Sequence, residues 1–271
     1  MKTLAPIGVF DSGIGGLSVW SQLIKEIPAE SMIYVSDSGY APYGTKPKSF
    51  IINRSRMITR FLLDEGCKLI VVACNTATGA AISVLRKEFS VPFIGVEPAV
   101  KPAAAASITG HIGVLATEQT FKGEHFKRAI GLYAKSVEIH ERAGNGLVEL
   151  IESGRMDSWE TRQLLRQYLS PMIQDGIDQL VLGCTHYPFL IPIIKEFLPE
   201  NVHIIDPAPA VASHARLVLG EMGALCSGTS TPDYRFYTTG EAKNMHAFLQ
   251  QISDRRYDVG IVGGNPIQII P

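Results

Sequence analysis

Leu69-Ile-Val-Val-Ala-Cys-Asn-Thr-Ala-Thr78 is an apolar, β-branched run that stops at a thiol and continues into amide and hydroxyl side chains able to open a helix. Far downstream, Leu180-Val-Leu-Gly-Cys-Thr-His-Tyr-Pro188 repeats the pattern, with a proline suited to a first helical turn. A buried strand feeding a helix is the unit of a parallel sheet covered by helices on both faces. The rhythm recurs at Ile7-Gly-Val-Phe10, which runs through Asp11-Ser-Gly-Ile-Gly-Gly-Leu-Ser18 into apolar positions at helical spacing: Leu17, Trp20, Leu23, Ile24 and Ile27. It restarts at His111-Ile-Gly-Val-Leu115, with a loop over 116–120 and a helix over 121–130.

Further strands are expected at 31–36, 92–97, 136–139, 178–183, 203–206, 234–238 and 259–262, and further helices at 49–64, 75–88, 147–152, 158–173, 207–220 and 241–252. Asn75 or Thr76 is the expected cap of the helix after Cys74. The fold class that follows is α/β, with two similar lobes, each a mostly parallel sheet flanked by helices, and an active site in the cleft between them. The composition changes at Pro98-Ala-Val-Lys-Pro-Ala-Ala-Ala-Ala-Ser107. The lobes are therefore expected to be 1–97 with 208–271 (Cys74 side), and 98–207 (Cys184 side). Ligands of such folds bind outside the carboxyl ends of the strands, where Asp11, Asp37, Cys74, Thr117 and Cys184 all fall.

The 25 Lys and Arg residues nearly balance the 26 Asp and Glu residues, so the charge footprint that holds a nucleic-acid backbone is missing. No apolar run approaches the roughly 20 residues of a membrane span, and the opening residues lack signal-peptide character. A cytoplasmic protein with no nucleic-acid or membrane partner is expected. Four cysteines without a Cys-x-x-Cys pair point to free thiols rather than to a disulfide framework or a structural zinc site. The seven histidines are scattered, and only His186 adjoins a cysteine motif. The glycines at 13, 15 and 16 lack dinucleotide-fingerprint spacing, although such a loop aims N–H groups at an anion, a carboxylate included. Tyr43-Gly44, in the turn-rich loop 37–48, suits a ligand contact and plain turn chemistry equally well.

A thiol at the start of a helix feels positive partial charge, which favours the thiolate. Two such thiols on opposite faces of one carbon can remove a proton from one side and return one to the other, which is the logic of a racemase. A cysteine beside an apolar strand is usually just a small buried residue, but two in matching contexts favour the paired reading. A disulfide, a Cys184/His186 metal site and a Cys–His hydrolase with Cys184 as nucleophile are the alternatives. The hydrolase leaves the Cys74 stretch unexplained.

Asp11-Ser-Gly-Ile-Gly-Gly16, Pro42-Tyr-Gly44, Cys74-Asn-Thr-Ala77 and Leu182-Gly-Cys-Thr-His-Tyr-Pro188, in this order over nearly the whole chain, resemble the cofactor-independent aspartate/glutamate racemase family. The resemblance implies interconversion of L- and D-glutamate without pyridoxal phosphate, metal or other cofactor, supplying D-glutamate for peptidoglycan, in a protein that forms a homodimer. It implies Cys74 and Cys184 as the two acid/base residues, with Asp11, His186 and Glu152 as auxiliary catalytic groups. Asp11, Ser12, Tyr43, Gly44, Asn75, Thr76, Thr185 and His186 correspond to substrate-binding positions, and Thr117 or Thr120 adds a hydroxyl for the substrate carboxylate. Gly39-Tyr-Ala41 and Arg142-Ala-Gly-Asn-Gly146 depart from the family pattern. Racemisation of a related acid such as aspartate, and a non-catalytic binding role on the same fold, are the competing readings.

Overall fold

The structure is a computed structural model that describes residues 3–133, 136–226, 228, 231–264 and 267–270. The chain divides into two compact units, Met1–Val96 with Ala208–Pro271, and Glu97–Pro207.

In the first unit, β1 (Ile7–Asp11), α1 (Leu17–Glu26), β2 (Met32–Ser36), α2 (Lys48–Asp64), β3 (Leu69–Val72), α3 (Asn75–Glu88) and β4 (Phe93–Gly95) follow in strict alternation. The β1, β2 and β3 strands are buried along their whole length, which is why their sequences are continuous apolar runs rather than alternating ones. The second unit opens with α4 (Val100–Ala106), a short helix inside the Pro/Ala-rich segment expected only as a crossing. It continues with β5 (His111–Ala116), α5 (Glu118–Lys122), α6 (Glu124–Tyr133), β6 (Glu138–Ala143), α7 (Leu147–Glu152), α8 (Trp159–Gln174), β7 (Gln179–Gly183), α9 (Ile191–Phe197) and β8 (His203–Ile205). The chain re-enters the first unit through α10 (Ala208–Glu221), β9 (Tyr234–Thr238), α11 (Ala242–Ile252), β10 (Val259–Gly263) and β11 (Gln268–Ile270).

The strand orders are β11-β10-β9-β2-β1-β3-β4 and β6-β5-β7-β8. Every pairing is parallel except β10 with β11. The segments β2-β1-β3-β4 and β6-β5-β7-β8 have the same wiring, in which the first strand lies between the second and the third. The direction of winding therefore reverses between β1 and β3, and again between β5 and β7. The carboxyl ends beside such a reversal leave a crevice, since the flanking helices depart to opposite faces. Cys74 follows β3 and Cys184 follows β7, so the echo in the sequence marks the same station in two copies of one topology.

Three local expectations needed revision. The helix expected over 121–130 is two helices broken at Gly123. The strand expected at 136–139 runs instead from Glu138 to Ala143, because Ser136 turns back onto Tyr133 and pairing with β5 begins only at His111 and Glu138. The short antiparallel β11 had no counterpart in the apolar pattern.

Candidate active site

At the β1/β3 reversal the loop after β1 is organised by its own acid. Asp11 is fully buried. Its Oδ1 accepts from the Ser12 backbone N–H at 2.6 Å and from the Ser12 hydroxyl at 3.2 Å, and its Oδ2 accepts from the Gly16 N–H. The amides expected to cradle an external anion are thus partly taken by Asp11. Glycine at 16 answers a close approach rather than a left-handed turn. Its φ is −63°, and an added Cβ would lie 2.7 Å from Asp11 Cβ, 2.8 Å from the Tyr34 hydroxyl and 3.0 Å from Ala73 Cβ.

Cys74 is the cap of α3 itself, a place the sequence reading gave to Asn75 or Thr76. Its sulfur accepts from the Ala77 N–H at 3.4 Å and lies 3.6 Å from the Ser12 hydroxyl. The expected lowering of its pKa is overturned. Burial, and after it the Asp11 carboxylate, push the thiol well above its usual range and outweigh the help from the Ala77 amide and the Ser12 hydroxyl. Cys74 in the free protein is therefore held toward the protonated thiol, with the Ser12 hydroxyl as its hydrogen-bond acceptor at 3.6 Å.

Asn75 and Thr76 are buried beside it. The Asn75 amide donates weakly to the Val96 carbonyl at 3.4 Å, while its Oδ1 is buried without a partner among the described residues. Tyr43 is buried, and its hydroxyl donates to Asp37 at 2.5 Å. Gly44 lies in the short helical turn Tyr43–Thr45. Asp37 also accepts from Arg54 Nε at 2.9 Å, from Arg54 Nη2 at 2.7 Å and from the Thr239 hydroxyl at 2.9 Å. Burial and the Asp37 carboxylate keep the Tyr43 phenol protonated. The side chain of Tyr43 thus holds the 37–48 loop. Arg54, the anchor that the sequence reading missed, could have been found by phase, since it shares the apolar face of α2 with Ile51 and Ile58.

At the β5/β7 reversal, Cys184, Thr185 and His186 are buried immediately after β7. His186 Nδ1 lies 3.8 Å from Cys184 Sγ, and His186 Nε2 lies 2.6 Å from Glu152 Oε1. Burial alone would push the imidazole down, but its contacts with Cys184 and Glu152 hold it well above its usual range. The sulfur therefore faces an imidazolium. Glu152 ends α7, whose cap Gly146 has φ +85°, a left-handed conformation that favours glycine. Gly144 leaves room for Tyr187, whose hydroxyl donates to the Gly144 carbonyl at 3.1 Å. The divergent segment Arg142–Gly146 thus sets the start of the helix that delivers Glu152. Thr117 caps α5, accepting from the Thr120 N–H at 3.2 Å, and the two hydroxyls lie 2.9 Å apart. Thr117 and Thr120 form one hydroxyl pair at the end of β5.

The structure brings Asp11, Ser12 and Cys74 together in one group, and Glu152, Cys184 and His186 in another. Tyr43 belongs to the separate Asp37 network. Chemically, the first group is a thiol beside a carboxylate and the second a sulfur beside a cation.

A glutamate racemase of Methylococcus capsulatus is 48% identical over 88% of this chain and 88% of its own length. Among solved structures, the glutamate racemase isoform RacE1 of Bacillus anthracis superposes with a TM-score of 0.87 at 33% identity, covering 96% of this chain and 97% of that one. The glutamate racemase of Francisella tularensis subsp. tularensis in complex with D-glutamate superposes with a TM-score of 0.82 at 29% identity, covering 95% and 97%. The model of the Asp/Glu/Hydantoin racemase family matches residues 15–215, and with these relatives it establishes that the chain belongs to that family.

Proposed function

We propose that this protein is a glutamate racemase that interconverts L- and D-glutamate by direct proton transfer at the α-carbon. In this scheme Cys74 and Cys184 address opposite faces of that carbon, one as thiolate and the other as thiol, and no electron-sink cofactor or metal takes part. The observation that carries the reading is the pair of matching stations after β3 and β7, each ending in a buried cysteine beside an ionisable group of opposite sign. Burial and then the Asp11 carboxylate hold Cys74 toward the thiol, and the His186 imidazole beside Cys184 is held well above its usual range. The substrate named for the relatives supports glutamate.

The α-proton leaves to one sulfur as the other sulfur protonates the opposite face, so a single turnover exchanges the roles of the two thiols. The developing negative charge at the α-carbon and carboxylate needs donors that are already fixed in place. The hydroxyls of Ser12, Thr76, Thr185 and the Thr117/Thr120 pair, with the backbone at Gly44, are the donors assigned to substrate. The open Asn75 Oδ1 is an acceptor for the α-ammonium group. Glu152 orients His186 and acts on the reaction through it.

The same reading makes the protein a cytoplasmic supplier of D-glutamate for peptidoglycan and a homodimer, the latter tested by light scattering of the purified chain. The decisive experiment incubates the protein with L-glutamate, D-glutamate or L-aspartate in deuterated water and follows the α-proton by NMR. Exchange with inversion for both glutamate enantiomers is expected. Exchange of aspartate alone would move the substrate, and exchange of none would leave a binding protein.

A further inference from the structure

The histidines that look scattered in the sequence include one pair that the second sheet brings together. His111 opens β5, and Glu138 and His140 lie on β6, with His111 opposite Glu138 and Gly113 opposite His140. Side chains two apart on a strand share a face, so His111, Glu138 and His140 rise from one face at the amino ends of their strands. This is the opposite end of the sheet from Thr117 and Cys184. Their ligand atoms all lie within 4.8 Å of one another. His111 Nδ1 is 3.1 Å from His140 Nε2, and the Glu138 carboxylate oxygens are 3.7 Å and 4.0 Å from these two nitrogens.

Donors about 2.0–2.2 Å from one borderline divalent ion stand roughly 2.9–3.5 Å apart at angles between octahedral and tetrahedral. The nitrogen pair already has that spacing. Glu138 is 67% exposed, and a small rotation of its free side chain closes the remainder. His140 is also oriented from behind. Its Nδ1 lies 3.0 Å from Asp175 Oδ2, at the end of α8, and Arg142 reaches the same oxygen at 4.0 Å. A carboxylate on one ring nitrogen fixes the tautomer that leaves the other nitrogen as a lone pair, the arrangement that accompanies metal-binding histidines. A single hydrogen bond between the two rings would explain their 3.1 Å contact but not the convergent glutamate.

We propose that His111 Nδ1, His140 Nε2 and the Glu138 carboxylate form a divalent transition-metal site of the zinc class on the second unit, with Asp175 as the residue that positions His140. The site leaves coordination positions for water and ties β5 to β6. It stands independently of the racemase reading.

The test uses full-length protein and Co2+, whose visible bands separate imidazole and carboxylate ligands from thiolates, which give intense near-ultraviolet charge transfer. The protein and a Cys74→Ser/Cys184→Ser variant are expected to bind a single equivalent with nitrogen/oxygen-type bands. His140→Ala should weaken that binding at least about tenfold, and Asp175→Asn by roughly 10–100-fold while leaving the band shape unchanged. Zn2+ should raise the melting temperature of the parent and not that of His140→Ala. If circular dichroism shows that His140→Ala does not fold, the more exposed His111→Ala takes its place. Undiminished Co2+ binding in the histidine variant, bands that vanish with the two cysteines, or no binding at all would overturn the proposal.

Discussion

Glu152 Oε1 lies 2.6 Å from His186 Nε2, and the opposite nitrogen of the same ring faces Cys184 Sγ at 3.8 Å. The imidazole thus spans a carboxylate and a sulfur and stays protonated. Its folded-state pKa is raised above the ordinary value of about 6.5. The resulting stabilisation is fully present below that value and is lost as pH climbs through the raised one. Glu152→Gln should bring the His186 titration, read by NMR of the ring protons, back toward lower pH. The melting-temperature gap between parent and variant should be widest near or below about pH 6.5 and shrink at alkaline pH. A His186 titration unchanged by the substitution would show that Glu152 does not hold the proton there.

Cys74→Ser and Cys184→Ser should each slow racemisation by at least about 10²–10⁴-fold, the contribution of one positioned acid or base. Circular dichroism of both variants should match the parent, since serine is nearly isosteric. Near-parental turnover in either variant, measured from both enantiomers, would defeat the two-thiol mechanism.

Asp11→Asn removes the carboxylate that, after burial, keeps the Cys74 proton in place. The pH profile for alkylation of Cys74 by iodoacetamide, read by mass spectrometry of its peptide, should therefore move to lower pH in the variant. A profile that stays put would assign the raised pKa to burial alone.

Gly16→Ala and Gly131→Ala make a matched pair. The first places a methyl against Asp11, Tyr34 and Ala73, whereas the second, inside α6, meets nothing within 4 Å. Gly16→Ala should destabilise by about 1–3 kcal/mol, the usual cost of overpacking, and also impair turnover because Asp11 must shift. Gly131→Ala should stabilise by roughly 0.5–1 kcal/mol, since alanine surrenders less backbone freedom in a helix. Urea denaturation compares the two directly.

Arg54→Met leaves Asp37 buried without its cation, although the Tyr43 and Thr239 hydroxyls remain. A loss of about 3–5 kcal/mol is expected for a broken buried pair. The Arg54→Met/Asp37→Asn double variant should recover part of it. Additive losses in this cycle would mean that the two side chains are energetically independent.

Much of the fold could be read from the sequence because its strands are buried on both faces and its helices carry one apolar stripe. Leu69–Val72 and Gln179–Gly183 are unmistakable for that reason. The break at Gly123 was invisible because a single glycine inside a helical pattern is tolerated and does not by itself mark an end. The β11 strand is an exposed edge of three residues, too short to show alternation. At the candidate site, Glu152 came from the resemblance without its contact to His186, whereas the cysteines followed from motif and family resemblance. Electrostatics did not, because burial is a property of the folded surroundings. A helix terminus next to Cys74 suggested a thiolate, whereas a buried aspartate from β1, 63 positions earlier in the sequence, secures the thiol. Arg54 was overlooked because a charged residue in an apolar stripe looks like a lapse of periodicity until its partner is known.

The reuse of one wiring in β2-β1-β3-β4 and β6-β5-β7-β8 has a kinetic consequence. Enantiomers in water have equal free energy, so the Haldane relation obliges kcat/KM to be the same in both directions, whatever the protein does. The two stations nevertheless differ in their surroundings, with a buried carboxylate, Asp11, beside Cys74 and an imidazole, His186, beside Cys184. Under the proposed function, the direction in which Cys74 gives the proton and the direction in which it takes one differ in kcat, with KM differing by the same factor. Progress curves from pure L- and pure D-glutamate would display that compensation, and equal kcat values in both directions would show that substrate binding erases the difference.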